Sequence, residues 1–260
     1  MTSRWSVLAA STVGGAHVRA GMSSQDAFAV EQIGGVLLLA VADGAGSAGL
    51  GAVGAPLVVS FAIRAMRRLV SPDRLGRAED WHRMLRVGPE RVLRQFRRAA
   101  RAVARVDRGL RVTDLGTTLT LVVACPPRVG VFAVGDGIVV IRTAAAGLDL
   151  LLAPPGGVDR EPGTTTLLTS RDAAATARRL VIDVPDLTGL AVSSDGMDTL
   201  LVEYVDAQPV RPGAAQFDQL FARAENSDGT DGMALTRLLT SARVCALTDD
   251  DRTLVVAVPR

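Results

Sequence analysis

With 260 residues, 48% of them hydrophobic and only 3% aromatic, the chain can bury one substantial core built mainly from Ala, Val and Leu. A net charge of +2 is too small to imply a nucleic-acid partner. All 29 basic residues are arginine, which excludes chemistries that need a lysine: a P-loop, a Schiff base, a kinase-type phosphate clamp. In chain order, Trp5–Thr12, Ala27–Ile33 and Val36–Ala42 read as strands, the last two joined by a Gly34-Gly35 hairpin. The small-residue loop GAGSAGLG leads into an apolar helix over residues 52–69, which Ser71-Pro72-Asp73 ends. A second helix is predicted from Pro89 to Leu110. Arginines at 91, 94, 98, 101, 105 and 108 line one of its faces. That stripe reads first as a solvated face, with docking of an acidic partner or a phosphorylated peptide as the rival reading.

Strand patterns return with TTLTLVVAC and GVFAVGDGIVVIRT, then continue at Leu148–Leu152, Thr164–Ser170, Arg179–Asp183 and Leu190–Ser193. Helices near Ala214–Glu225 and Gly232–Ala242 follow, and a strand over Thr253–Val258 closes the chain. Strands and helices come in separate blocks, so the expectation is one α+β domain over residues 1–260 with antiparallel sheets. Cys125 and Cys245 lie in strand-like runs and read as small core residues. No CxxC pair is present, and His17 and His82 are too few for a histidine-rich metal site. The first residues read as a strand rather than a signal peptide, and the longest apolar stretch is about half the length of a membrane span. A soluble, cytoplasmic protein with no membrane partner is expected.

Four aspartates stand out: Asp43, Asp136, Asp195 and Asp250, each at the end of an apolar, strand-like run. Three are followed by glycine. Taken singly, such an aspartate is usually a turn former, and GDG around Asp136 reads equally as a hairpin turn. Four together imply carboxylates converging on one spot. Bare carboxylates repel, so the arrangement makes sense around hard divalent cations such as Mg2+ or Mn2+. Asp26, in SSQDAF, adds a further carboxylate. The stretch ENSDGTDG lacks the spacing of a calcium loop and reads as a connection between helices.

The ordered segments SSQDAFAV, AVADGAGS, LGTTLTLVV, FAVGDGIVVIR, AVSSDGMD and DDDRTLVV resemble the motif set of the metal-dependent protein phosphatases of type 2C, from about His17 to Val258. The resemblance implies a central antiparallel β-sandwich flanked by helices on both faces, a four-layer αββα arrangement, with a two-metal site at one end. It implies that Asp43 bridges both ions and that the Gly44 carbonyl is a further ligand. Asp195 and Asp250 would hold the first ion, and Asp136 a third, weaker one. Asp26 would orient the attacking water, which the two ions activate to displace phosphate from phosphoserine or phosphothreonine directly. Two departures are visible. The histidine that many members carry after DG is absent from DGAGS. The phosphate-binding arginine's place is taken by Gly21, so Arg19 is the candidate for that contact. Asp251 stands where the family often has Asn. Implied partners are phosphorylated proteins, through a cognate serine/threonine kinase or its targets, met by a monomeric enzyme. The rivals are a catalytically inactive phosphatase-like module that binds a phosphoprotein or kinase, and a hydrolase of small phosphorylated metabolites.

Overall fold

The computed structural model describes residues 4–45, 49–71, 73, 75–154, 165–227 and 232–260. Strands β1 (Trp5–Thr12), β2 (Asp26–Ile33) and β3 (Val36–Asp43) enclose a one-turn helix, α1 (Gly15–Arg19), and are followed by helices α2 (Gly51–Arg67) and α3 (Ala78–Val106). Next come β4 (Leu119–Cys125), β5 (Arg128–Val134), β6 (Ile138–Thr143), β7 (Gly147–Leu152), β8 (Arg178–Asp183) and β9 (Leu187–Ser193). The chain ends with α4 (Asp198–Leu201), the hairpin β10 (Val202–Val205) and β11 (Gln208–Pro212), α5 (Ala214–Asn226), α6 (Gly232–Leu239), α7 (Ala242–Cys245) and β12 (Arg252–Pro259).

Two five-stranded antiparallel sheets stack face to face, one ordered β1-β12-β9-β6-β7 and the other β2-β3-β4-β5-β8. Strand β3 shows why the layers form. Every residue from Val36 to Ala42 is buried, an unbroken apolar run that only a strand covered on both faces can carry. Leu37, Leu39 and Val41 point into the core between the sheets, with Val122, Val192 and Val255. Leu38 and Ala40 point outward under α2 and α3, against Val58, Ala62 and Phe96. Strand β12 repeats the device on the other side. Val255 and Ala257 face inward, while Leu254 and Val256 pack under α5 and α6 with Phe217 and Phe221. The result is the expected αββα stack. Because Phe96 is fully buried in its outer layer, truncating it to Ala would cost about 3–5 kcal/mol.

Several sequence expectations are corrected. Helix α3 starts at Ala78 rather than Pro89, with Pro89 inside it. Proline disfavours the preceding turn locally, but buried Trp81, Met84 and Leu85 anchor that turn on the sheet. Arg108 lies beyond the helix end at Val106. Residues 165–170 form no strand: they make a strap whose Leu168 N–H donates to the Thr117 carbonyl and whose Leu168 and Ser170 carbonyls accept from Arg97. Cys245 is exposed in α7 rather than buried in a strand, and Cys125 is half-buried. The hairpin β10–β11 and helix α1 had no clear sequence signal. Residues 46–48 of the GAGSAGLG loop, Pro72, Thr164 and residues 228–231 of ENSDGTDG lie outside the described residues. No helix among the described residues is long and apolar enough to cross a membrane.

Candidate metal centre

Antiparallel pairing gathers the acidic residues at one edge of the sandwich. Asp26 opens β2 directly opposite Asp43, which closes β3. Asp195 follows the end of β9, and Asp250 precedes β12, which runs antiparallel to β9 with Leu254 opposite Ser193. Asp250 thus stands before a strand and not, as the sequence suggested, at the end of one. An antiparallel neighbour's start reaches the same edge as a strand's finish. Asp136 comes from the turn between β5 and β6.

Carboxylate oxygens of Asp43, Asp136 and Asp195 lie within 4.8 Å of one another. At an effective dielectric of about 20, two unit charges that close repel by roughly 3 kcal/mol. Asp250 is outside this tight trio, exposed at its rim, yet near enough to add to the field on Asp43 and Asp195. Burial, then the charges of Asp26, Asp195, Asp250 and Asp136, hold the Asp43 carboxyl well above the usual range. Burial, then Asp136 and Asp250, push Asp195 up to about 8. Desolvation by surrounding atoms also raises Asp250. Asp26 is buried and raised to about 6, chiefly by desolvation, although the Ser194 hydroxyl donates to its Oδ2 at 2.7 Å. Its Oδ1 is buried without a hydrogen-bond partner. Such a set is strained while empty of cations. It offers only oxygen ligands and an unsatisfied buried carboxylate atom, so it fits hard divalent ions.

The glycines after the aspartates are demanded by close approach. A Cβ on Gly44 would lie 2.6 Å from the Gly51 carbonyl oxygen, and one on Gly196 would collide with the Asp251 carbonyl. A fuller set of supports comes from Gln25 and His17, to which the sequence reading gave no role at the site, and from Asp251, noted there only as standing in place of Asn. The Gln25 amide, oriented by its neighbours, donates to the Ala45 and Gly44 carbonyls at 3.0 and 3.2 Å and accepts from His17 Nε2 at 3.2 Å. His17 Nδ1 lies 3.0 Å from Asp251 Oδ1, within ion-pair reach but off the hydrogen-bond line. Asp251 also accepts from the Gly14 N–H at 2.6 Å and the Gln25 N–H at 2.5 Å. It therefore works as an acceptor that fastens the β1–α1 corner and the entry to β2. Burial alone would raise its pKa, but His17 and the two backbone donors outweigh that and leave it below the usual carboxylate value.

Arg19, the candidate phosphate contact, is exposed on α1 and paired with Asp249 through bonds of 2.8 and 3.2 Å. It stands beside the site rather than within the trio. A cation missed by the sequence reading, Arg178 on β8, donates at 2.7 Å to the Gly135 and Ala153 carbonyls. Burial lowers its pKa, which the nearby Asp136 charge opposes. Arg178 thus braces the turn bearing Asp136, whose Oδ2 accepts from the Thr165 hydroxyl at 2.5 Å. The only hint of it in the sequence was an Arg-Arg pair in a strand-like run.

The family model described as protein phosphatase 2C matches residues 13–240. Serine/threonine-protein phosphatase 3 of Escherichia coli (strain K12) is 30% identical over 264 residues, covering 98% of each chain. Among solved structures, a bacterial serine phosphatase aligns with TM-score 0.67 at 14% identity over 98% of both chains. The serine/threonine phosphatase Stp1 from Staphylococcus aureus aligns with TM-score 0.65 at 15% identity, over 99% of this chain and 95% of that one. At those identities the solved structures establish the likeness of fold.

Proposed function

The chain belongs to the protein phosphatase 2C family, and from that premise we propose that it hydrolyses phosphoserine and phosphothreonine on protein substrates with Mn2+ or Mg2+ at the Asp43 edge. The observation that carries this reading is the convergence of Asp43, Asp136 and Asp195 within 4.8 Å. In this reading Asp43 and the Gly44 carbonyl would hold two ions together with Asp195 and Asp250, and Asp136 would serve a third, weaker one. Bound there, the ions would lower the pKa of a water and neutralise charge on the phosphoryl oxygens. Asp26, buried and bonded by Ser194, orients the attacking water through its free Oδ1. Gln25, held by His17, keeps the Gly44 carbonyl aimed. Arg19, released from Asp249, binds the substrate phosphate with its planar fork.

The proposed partners are targets of a cognate serine/threonine kinase, met in the cytoplasm by a monomeric enzyme. The inactive-module reading gains no support, because a module without turnover would not need its carboxylates assembled. The test is phosphate release from a phosphothreonine peptide with Mn2+ and with chelator, for the native protein and Asp43→Ala. Metal-dependent turnover lost in the variant is expected. Folded, Mn2+-loaded native protein that releases no phosphate would overturn the reading.

A further inference from the structure

Charge is unevenly spread over this chain. Helices α2 and α3 together carry ten arginines and only three acidic residues, a local charge of +7, while the rest of the chain carries −5. Two of these arginines have structural tasks: Arg97 binds the strap at residues 168–170, and Arg67 pairs with Glu31. Four do not. Arg64 and Arg68 at the end of α2, and Arg91 and Arg98 on α3, converge on one groove of about 370 Å3 with Phe61 and Gln95. All four are exposed, and among the described residues none makes an ion pair or a side-chain hydrogen bond. No acidic side chain lines the groove. Like charges placed together on neighbouring helices cost stability, so the cluster is unfavourable in the chain by itself.

We propose that this groove docks an acidic segment of the phosphoprotein substrate, at a distance from the metal centre. Carboxylates are the matching chemistry, because each can take a guanidinium in a two-bond fork. A single ring in the groove, Phe61, gives no ladder for stacking nucleotide bases, which favours a peptide over a single-stranded nucleic acid. The placement is also suitable. Helix α2 begins at Gly51, against Gly44, and Phe61 to Arg68 lie roughly 15–25 Å along it. About five to eight extended residues would join the groove to a phosphoserine at the carboxylates. The inference rests on the phosphatase reading for its substrate, though the groove can be tested without turnover.

The experiment compares a phosphothreonine peptide with the same peptide bearing about six Asp/Glu residues through a Gly/Ser linker of about eight residues. At low salt the tail is expected to raise kcat/KM about tenfold, through KM, and the gain should fade with added salt. The gain should vanish in Arg64→Gln/Arg68→Gln/Arg91→Gln/Arg98→Gln. It should persist in a variant that removes equal charge elsewhere, Arg108→Gln/Arg223→Gln/Arg237→Gln/Arg243→Gln. Turnover of the untailed peptide should be unchanged in both. In parallel, fluorescence anisotropy of a labelled, unphosphorylated tail should show binding that the groove variant loses. No gain from the tail, a gain that survives the groove variant, or equal loss in the control would each overturn the proposal. So would a single-stranded oligonucleotide that displaces the tail at lower concentration than the tail itself. If no peptide is turned over but the labelled tail still binds only when the four arginines are present, docking stands and the catalytic reading falls.

Discussion

Asp251→Ala tests whether the supports beneath the carboxylate edge are worth what their geometry implies. The Asp251 side chain is buried and accepts from the Gly14 N–H on one oxygen and the Gln25 N–H on the other, with His17 beside it. Alanine leaves two buried backbone donors without their acceptor and removes the carboxylate beside the His17 imidazole. Each unsatisfied donor costs about 1–3 kcal/mol, so the pair brings the total to about 2–5 kcal/mol once entering water recovers part of it. Asparagine can accept from only one of the two donors and turns its own N–H2 toward the other, so about 1–3 kcal/mol is expected. The pH dependence has a fixed sign. Because the folded-state pKa of Asp251 is depressed, its contribution is present above the unfolded value near 3.8 and is lost as pH falls through the folded value. The assay is urea unfolding in chelator at pH 7 and at successively lower pH, for native protein, Asp251→Asn and Asp251→Ala. The gap between native and Ala should be largest at pH 7 and shrink on acidification. A cost below about 1 kcal/mol for Ala, or a gap that widens in acid, would refute the account of Asp251 as a charged double acceptor.

Three further outcomes follow from the carboxylate edge. Asp26 at about 6, Asp195 at about 8 and Asp43 well above its usual value are all raised, so their contribution to stability is complete below the unfolded value of 3.8 and lost as pH rises through the folded values. Chelated protein should therefore lose melting temperature between pH 4 and 8, and Mn2+ should restore it at pH 8 with release of protons; chelated protein that melts higher at pH 8 than at pH 5 contradicts this. Asp43→Asn removes one charge from the repelling group and should stabilise the chelated protein by about 1–2 kcal/mol while abolishing the response to Mn2+; a lower melting temperature in chelator would show that repulsion does not dominate. Arg19→Ala should raise KM for a phosphopeptide several-fold with kcat nearly unchanged, and Asp249→Ala, which frees Arg19, should lower KM. If steady-state kinetics find KM unmoved in both variants, Arg19 is not the phosphate contact.

What could be read from the sequence was what lies close together along the chain. An apolar run that ends in Asp-Gly carries its own signal, and Asp43, Asp136 and Asp195 were legible for that reason. The separate blocks of strands and helices implied α+β layering, whereas the four-layer order came only from the family resemblance; its physical basis, a strand such as Val36–Ala42 buried on both faces, was seen in the structure. Sequence reading failed where distant packing decides the outcome. Pro89 is a helix breaker by local rules, yet Trp81 and Leu85 bury enough surface to carry α3 through it. The strap at residues 165–170 has a strand's composition, but Arg97 takes two of its carbonyls.

The contacts that brace the carboxylate edge were hidden for the same reason. His17, Gln25 and Asp251 have no common spacing, and 226 residues separate Gln25 from Asp251. Antiparallel pairing supplies the missing rule. It returns the start of one strand to the edge where its neighbour ends, so the carboxylate before β12 reaches the same edge of the sandwich as the one after β9. The same rule sets Asp26 opposite Asp43. In such sandwiches, acidic residues on either side of a strand boundary are candidates for one centre. The residues that hold them in place are to be sought at the opposite end of the sequence.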